Sequence, residues 1–262
     1  MTITILTSEV GIGGVGLSAI KPLAQKLNIS FKTLPTIFFE KRPDLGKSEP
    51  DITGADEISI FLDKNSQNQN QLLFGYFANE KQVNAAANWI EKAQANFTFG
   101  PITIDPVMGD DDKQYISDEV RDTLINQLIP KADVITPNRF EADLIFGTYG
   151  CNFDEIEQRL KIYFANRPRP IIIITSAKVD EKIEIWYWDK SGKSGIYSHE
   201  KIDHPPRGTG DIFAFLVSVF LNEYTLNTAV EKSSTLIMDL IYQTKNTKNS
   251  PANTIYFDDV IV

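Results

Sequence analysis

The sequence predicts an α/β fold with a mostly parallel central sheet and helices on both faces. Three observations predict it. Short apolar runs alternate with segments of helical periodicity along most of the 262 residues. The β-branched run 171–174 is bounded by Pro170 and by Thr175-Ser176, as a strand buried on both faces should be. Ser8, Tyr76, Asp105, Asn138, Thr175 and the segment 208–211 all follow expected strands. In open α/β sheets that edge carries the ligand crevice, so these residues can converge.

In chain order, residues 2–7 alternate Thr and Ile and predict the first strand. Next come the turn Gly11-Ile12-Gly13-Gly14-Val15-Gly16 and a helix over 17–27. This is literally G-x-G-x-x-G between a strand and a helix. The dinucleotide reading needs an acid at the end of the next strand, and the strand expected near 30–34 carries Lys32 instead. Nicotinamide binding is therefore disfavoured, and the turn reads as a tight strand-to-helix connection. Residues 40–56, broken by Pro43, Gly46, Pro50 and Gly54, predict a loop, followed by a short helix over 55–63. A strand over 71–77 carries Tyr76, and Asn79 caps a helix running to about 95.

A short buried strand over 101–105 delivers Asp105, followed by Pro106-Val107-Met108-Gly109-Asp110 and then Asp111-Asp112. The acidic run reads as a solvated loop, whereas Asp105 stands at a strand end. A helix over 117–128 and a strand over 132–136 follow, the latter ending in Thr136. Asn138 and Glu141 have the spacing of a capping box for a helix over 139–146. A helix over 153–166, the strand 171–174 and a hairpin of 183–188 with 195–199 come next. His199 and His204 have no carboxylate partner in view and read as structural or exposed. A helix over 225–245 and an edge strand over 254–257 close the series. With no repeat and no linker, the expectation is one domain over 1–262.

The formal net charge of −9 argues against a nucleic-acid or acidic-membrane surface. The single cysteine, Cys151, gives no disulfide framework and no cysteine-based zinc site. The first residues lack a basic start and a long apolar core, and no apolar run reaches the roughly 18 residues of a membrane span. A soluble cytoplasmic protein is expected.

Pro205-Pro206-Arg207-Gly208-Thr209-Gly210-Asp211 runs directly into a strongly apolar helix. Glycines let the backbone approach a ligand, and unpartnered amides at a helix start favour an anion. Asp211 at such a mouth fits a proton acceptor beside a transferring anionic group. The same residues also fit a plain turn with Asp211 as helix cap.

Three blocks then carry a resemblance: Asp105-Pro-Val-Met-Gly-Asp110, Ala132-Asp-Val-Ile-Thr-Pro-Asn-Arg-Phe-Glu141 and Gly208-Thr-Gly-Asp211. In order and spacing the chain resembles the pyridoxal kinases of the ribokinase-like superfamily, over nearly its whole length. The resemblance implies an ATP-dependent kinase for a hydroxymethyl group. It implies Asp211 as base and substrate contact, with the amides of Gly208 to Asp211 as the anion hole and Gly208, Thr209 and Gly210 as ATP contacts. Asn138 and Glu141 match an N-x-x-E pattern that helps hold Mg²⁺, with Asp105 in the same phosphate and metal region. Asp110 and Thr136 match positions near ATP and a monovalent cation, K⁺ or Na⁺. Thr175 and Ser176 match a nucleotide-contacting pair. Ser8 and Tyr76 match substrate positions, and a homodimer is implied.

The chain departs from that pattern where pyridoxal kinases carry Ser-Asn-His-Thr and it has Glu40-Lys41-Arg42-Pro43. Glu9 stands for a usual His and Leu17 for a usual Asn. The leading expectation is a kinase for pyridoxal, pyridoxine or pyridoxamine. The alternatives are a hydroxymethylpyrimidine-type kinase and a non-catalytic ligand-binding paralogue.

Overall fold

The computed structural model describes residues 2–46, 49–66, 70–95, 99–110, 113–166, 168–246 and 255. The order is β1 (Thr2–Ile12), α1 (Leu17–Lys26), β2 (Ser30–Lys41), β3 (Asp51–Ile52), α2 (Ala55–Asn65), β4 (Gln71–Phe74) and α3 (Glu80–Gln94). Then come β5 (Ile102–Ile104), β6 (Gly109–Asp110), β7 (Lys113–Gln114), α4 (Asp118–Thr123), β8 (Val134–Ile135), α5 (Arg139–Phe146) and α6 (Phe153–Tyr163). Last are β9 (Ile171–Val179), β10 (Lys182–Trp188), β11 (Ser194–Glu200), α7 (Thr209–Phe220) and α8 (Leu226–Asn246).

Nine strands form one sheet in the order β11-β10-β9-β8-β5-β4-β1-β2-β3. The run from β9 to β2 is parallel, while β3, β10 and β11 pair antiparallel at the two margins. Side-chain alternation sends Leu72, Phe74, Ile172 and Ile174 to one face and Leu73 and Ile173 to the other. The first face is covered by α2 to α6 and the second by α1, α7 and α8, each over its own apolar core. The expected fold class is thus the observed one.

Helix starts follow the cap chemistry. Asn79 Oδ1 accepts the Gln82 N–H at 3.1 Å to begin α3. Asn152 and Glu155 exchange reciprocal bonds at 2.8 and 3.0 Å to begin α6.

Several expected boundaries are corrected. The loop expected over 40–56 contains the end of β2, a 3₁₀ turn at Pro43–Leu45, and β3. β2 outruns its expected end at 34 because β1 itself continues to Ile12 and keeps pairing with it. The helix expected over 117–128 is α only as far as Thr123. It widens into a π turn at Leu124–Leu128 and tightens to 3₁₀ at Ile129–Lys131, where Pro130 cannot continue an α ladder. β9 runs to Val179, past its expected end at 174, because it turns directly into β10. Apart from Ile255, the edge strand expected over 254–257 lies outside the described residues, as do Asp111 and Asp112.

Two irregularities in strand pairing lie at the crevice edge. Between Thr7 and Glu9, β1 has the single residue Ser8 opposite Thr36 and Ile37 of β2. Between Ile174 and Lys178, β9 has three residues opposite Ile185 of β10. Such bulges bend a strand and re-aim its side chains, and they concentrate beside sites.

Candidate active site

The strand order reverses between β1, which leads to β2, and β4, which leads to β5. Open α/β sheets place their crevice beyond the strand ends at this point. There Gly75 N–H donates to Leu6 O at 2.8 Å, and Tyr76 N–H donates to Thr7 Oγ1 at 3.0 Å. A Cβ on Gly75 would stand 2.4 Å from Thr7 Oγ1, so only glycine fits. Thr36 Oγ1 donates to Tyr76 O at 2.6 Å, fixing the Tyr76 backbone from the β2 side. The Tyr76 ring is half-buried and packs on the larger apolar core, and burial pushes its hydroxyl pKa up. Thr7, Gly75, Asp105 and Asp211 line one small cavity at the strand ends.

Asp211 lies in the first turn of α7, three residues after its N-cap, Gly208. Gly208 adopts φ +88°, and a Cβ there would stand 2.3 Å from Gly14 O. The glycine is therefore required by packing against the first turn of the chain. Gly210 differs: a Cβ on it meets nothing within 4 Å and would project into open space at the helix mouth. Burial pushes the Asp211 carboxyl up to about 6, while the nearby backbone amides of Gly16 and of Asp211 itself pull the other way. The turn 11–16 thus brings the Gly16 amide near this carboxylate. Asp211 is not the cap of α7.

A second acidic group lies across the cavity. Asp105 is buried and accepts a hydrogen bond from Thr136 Oγ1 at 3.1 Å. Burial, then the charges of Glu141 and Asp211, push its carboxyl well above the usual carboxylate range. Glu141 is buried as well. Its Oε1 accepts the N–H groups of Met108 at 2.9 Å and Gly109 at 3.4 Å, and its Oε2 accepts that of Asn138 at 2.9 Å. Burial and the nearby Asp110 raise it to about 8 against those three bonds. Asn138 closes the unit: its Oδ1 accepts Glu141 N–H at 2.9 Å, and its Nδ2 donates to Gly109 O at 2.7 Å. The expected capping box is present, and it also anchors the loop 107–110.

The nucleotide pair expected at Thr175 and Ser176 lies on the β9 bulge. Thr175 N–H donates to Pro137 O at 2.9 Å, which extends β8–β9 pairing to Asn138. Ser176 adopts φ +47°, an uncommon conformation for a residue with a side chain. Ser8 packs on the glycine turn, where a Cβ on Gly16 would stand 2.0 Å from Ser8 O. His199 is half-buried on the marginal strand β11, its Nδ1 2.9 Å from Glu200 O, and the structure does not bring it to the crevice.

Sequence reasoning missed Thr7 and Gly16. Thr7 looks like any other member of an alternating strand, and its partner is 69 residues away. Gly16 contributes a backbone N–H, which no residue type advertises.

Among the described residues, no group of three or more His, Cys, Asp and Glu is gathered to hold a metal ion unaided. The residues present nevertheless fit a Mg²⁺ shared with phosphates. The charges acting on Asp105 and Glu141 are all carboxylates, and Mg²⁺ usually takes only one or two protein carboxylates and keeps its waters. No helix among the described residues is long and apolar enough to cross a membrane.

Comparison with known proteins shows the family and the fold. A pyridoxine/pyridoxal/pyridoxamine kinase of Bordetella avium is 27% identical over 179 residues, which span 66% of this chain and 60% of that protein. A pyridoxal kinase of Actinobacillus pleuropneumoniae is 24% identical over 252 residues, 92% of this chain and 88% of that protein. The structure of Leishmania donovani pyridoxal kinase in complex with ADP and pyridoxine matches with a TM-score of 0.78 at 22% identity. It covers 95% of this chain and 90% of that one. A family model for phosphomethylpyrimidine kinase matches residues 70–253, from the start of the β4 region past α8. With more than half of its length matched, the chain belongs to the phosphomethylpyrimidine kinase family, and pyridoxal kinases are among its relatives.

Proposed function

We propose that this chain is an ATP-dependent kinase that phosphorylates the hydroxymethyl group of a B6 vitamer: pyridoxal, pyridoxine or pyridoxamine. One observation carries the reading. Asp211 stands at the mouth of α7 with its carboxyl raised to about 6, beside the amides of a glycine-started helix. A group of that basicity accepts a hydroxyl proton near neutral pH, and the helix amides stabilise charge on the phosphoryl group in transfer. The relatives' names and the ADP and pyridoxine of the Leishmania complex support the substrate class.

Each site residue then has a task. Tyr76 and Ser8 receive the substrate ring and its substituents. Thr175, Ser176, Asn138 and Asp110 flank the nucleotide, and the amides of Gly208, Thr209 and Gly210 face the γ-phosphate. Asp105, Thr136 and Glu141 form the metal side. A Mg²⁺ held there would neutralise phosphate charge, and Thr136 is the position for a monovalent cation. Both Glu141 oxygens accept backbone amides, and Glu141 would act on a metal directly or through its waters. A homodimer is part of the same reading.

The family description favours a second substrate, hydroxymethylpyrimidine or its phosphate. The test is ATP consumption with Mg²⁺ against pyridoxal, pyridoxine, pyridoxamine and hydroxymethylpyrimidine. Phosphorylation of a B6 vitamer in preference supports the proposal. Preference for the pyrimidine moves the chain to the second reading. Binding without turnover of any compound makes it a non-catalytic paralogue.

A further inference from the structure

We infer that Arg42 is a positioning residue for this site: it braces the glycine turn so that Gly16 presents its N–H to the carboxylate of Asp211. The inference rests on the proposed reading of Asp211 as proton acceptor.

The contact is made twice over. Arg42 N–H donates to Ile12 O at 2.9 Å, and Arg42 Nη1 donates to Gly13 O at 2.9 Å. The stem also lies flat on the turn. Gly13 adopts φ +136°, and a Cβ on it would stand 2.7 Å from Arg42 Cβ and 3.4 Å from Cδ. The far side of the same turn is wedged against the kinase loop, where Gly14 O would meet a Cβ on Gly208 at 2.3 Å. The turn therefore sits between residues 40–43 and residues 208–211, with the Gly16 amide near enough to Asp211 to favour its ionised form.

The turn needs such a brace. Gly11, Gly13, Gly14 and Gly16 fall within six residues, and each has more conformations to lose than any other residue type. Arg supplies a rigid planar donor that grips a carbonyl from a fixed stem. Arg42 lies in the segment where the chain departs from the pyridoxal kinase pattern. The exchange therefore bears on the proposed base.

Arg42→Met keeps an apolar stem over Gly13 and removes the donors; Arg42→Lys restores one. Two quantities are read: the ¹H–¹⁵N signal of the Gly16 amide in ligand-free protein, and kcat with KM for ATP. In Arg42→Met the Gly16 proton is expected to move upfield and exchange faster. The kcat is expected to fall about tenfold, the equivalent of one hydrogen bond, with KM for ATP held within about twofold. Arg42→Lys should recover both in part. A folded Arg42→Met whose Gly16 signal matches wild type overturns the inference. Should Arg42→Met not fold, Arg42→Lys carries the same readouts: an intermediate Gly16 shift supports the brace, and an unshifted signal overturns it. If the amide moves while Asp211→Asn keeps its turnover, the base reading falls and the brace stands.

Discussion

Asn138 and Glu141 hold each other reciprocally: the amide of Asn138 donates to Glu141 Oε2 and the amide of Glu141 donates to Asn138 Oδ1, both at 2.9 Å. This pair starts α5 and, through Met108 and Gly109, also fixes the loop that follows Asp105. A structural cap and a candidate site residue are here the same carboxylate.

That carboxylate predicts a pH dependence of stability. Glu141 is raised from an ordinary 4.5 to about 8, Asp211 to about 6, and Asp105 shifts in the same direction. Between the ordinary carboxylate range and about 8, the folded protein holds protons that the unfolded chain has released. Its stability therefore falls as pH rises through that window. Thermal unfolding of ligand-free protein at pH 5 and pH 8 should show the loss. Glu141→Gln should lie within about 1 kcal/mol of wild type at pH 5. It should also lose less on going to pH 8, because one of the three titrations has gone. Equal slopes for the two proteins would count against it.

Asp211→Asn is expected to lower turnover by about 10²–10⁴ while leaving ATP affinity largely in place. In wild type, kcat/KM should climb with pH and level off above about 6, where Asp211 gives up its proton. A pH-independent kcat/KM between 5 and 8, or near-normal turnover of the Asn variant, removes Asp211 from the chemistry.

The two glycines of the kinase loop separate packing from ligand space. Gly208→Ala must hold φ +88° and overlap Gly14 O, so it should cost about 1–3 kcal/mol of stability. Gly210→Ala meets nothing within 4 Å and gains helix propensity of up to ~1 kcal/mol. It should fold at least as stably as wild type yet bind ATP more weakly, because its methyl takes phosphate space. Denaturation midpoints and ATP affinity for both variants check the contrast, which fails if Gly210→Ala leaves affinity unchanged.

Much of this site was legible because its residues carry local chemistry. Asp105 ends an apolar strand, Asn138 and Glu141 have cap spacing, and Asp211 follows a Gly-x-Gly at the head of an apolar helix. The sheet order was legible only as a class. What stayed hidden depends on neighbours distant in sequence. β2 runs on to Lys41 only because β1 continues beside it, and the bulges at Ser8 and at 175–177 exist only in the register of paired strands. The glycine turn was legible as a turn but not as an amide donor to a residue nearly 200 positions away. Its donor is backbone, and glycine spacing alone also fits a dinucleotide site.

The last prediction concerns substrate choice. Pro43 is exposed and opens a 3₁₀ turn, a place where its missing N–H costs nothing structurally. On the proposed reading the effect of Pro43 is on recognition: a Thr there would return a hydroxyl and an N–H to a segment that, in the pyridoxal kinase pattern, contributes to the substrate pocket. A site that hydrogen-bonds its substrate discriminates far more strongly than one that only packs on it. On the proposed reading Tyr76, held through Thr7 and Thr36, remains to stack on a flat ring, and stacking reads no particular substituent. Wild type is therefore expected to accept pyridoxal, pyridoxine, pyridoxamine and hydroxymethylpyrimidine with kcat/KM values within about two orders of magnitude, the span of weak packing discrimination. Pro43→Thr should spread those values apart, and Tyr76→Ala should lower all four together. The measurement is kcat/KM for each compound with each protein. A wild type strongly selective for one compound, with Pro43→Thr leaving every ratio where it was, sinks the idea, as does a Tyr76→Ala that changes none of them.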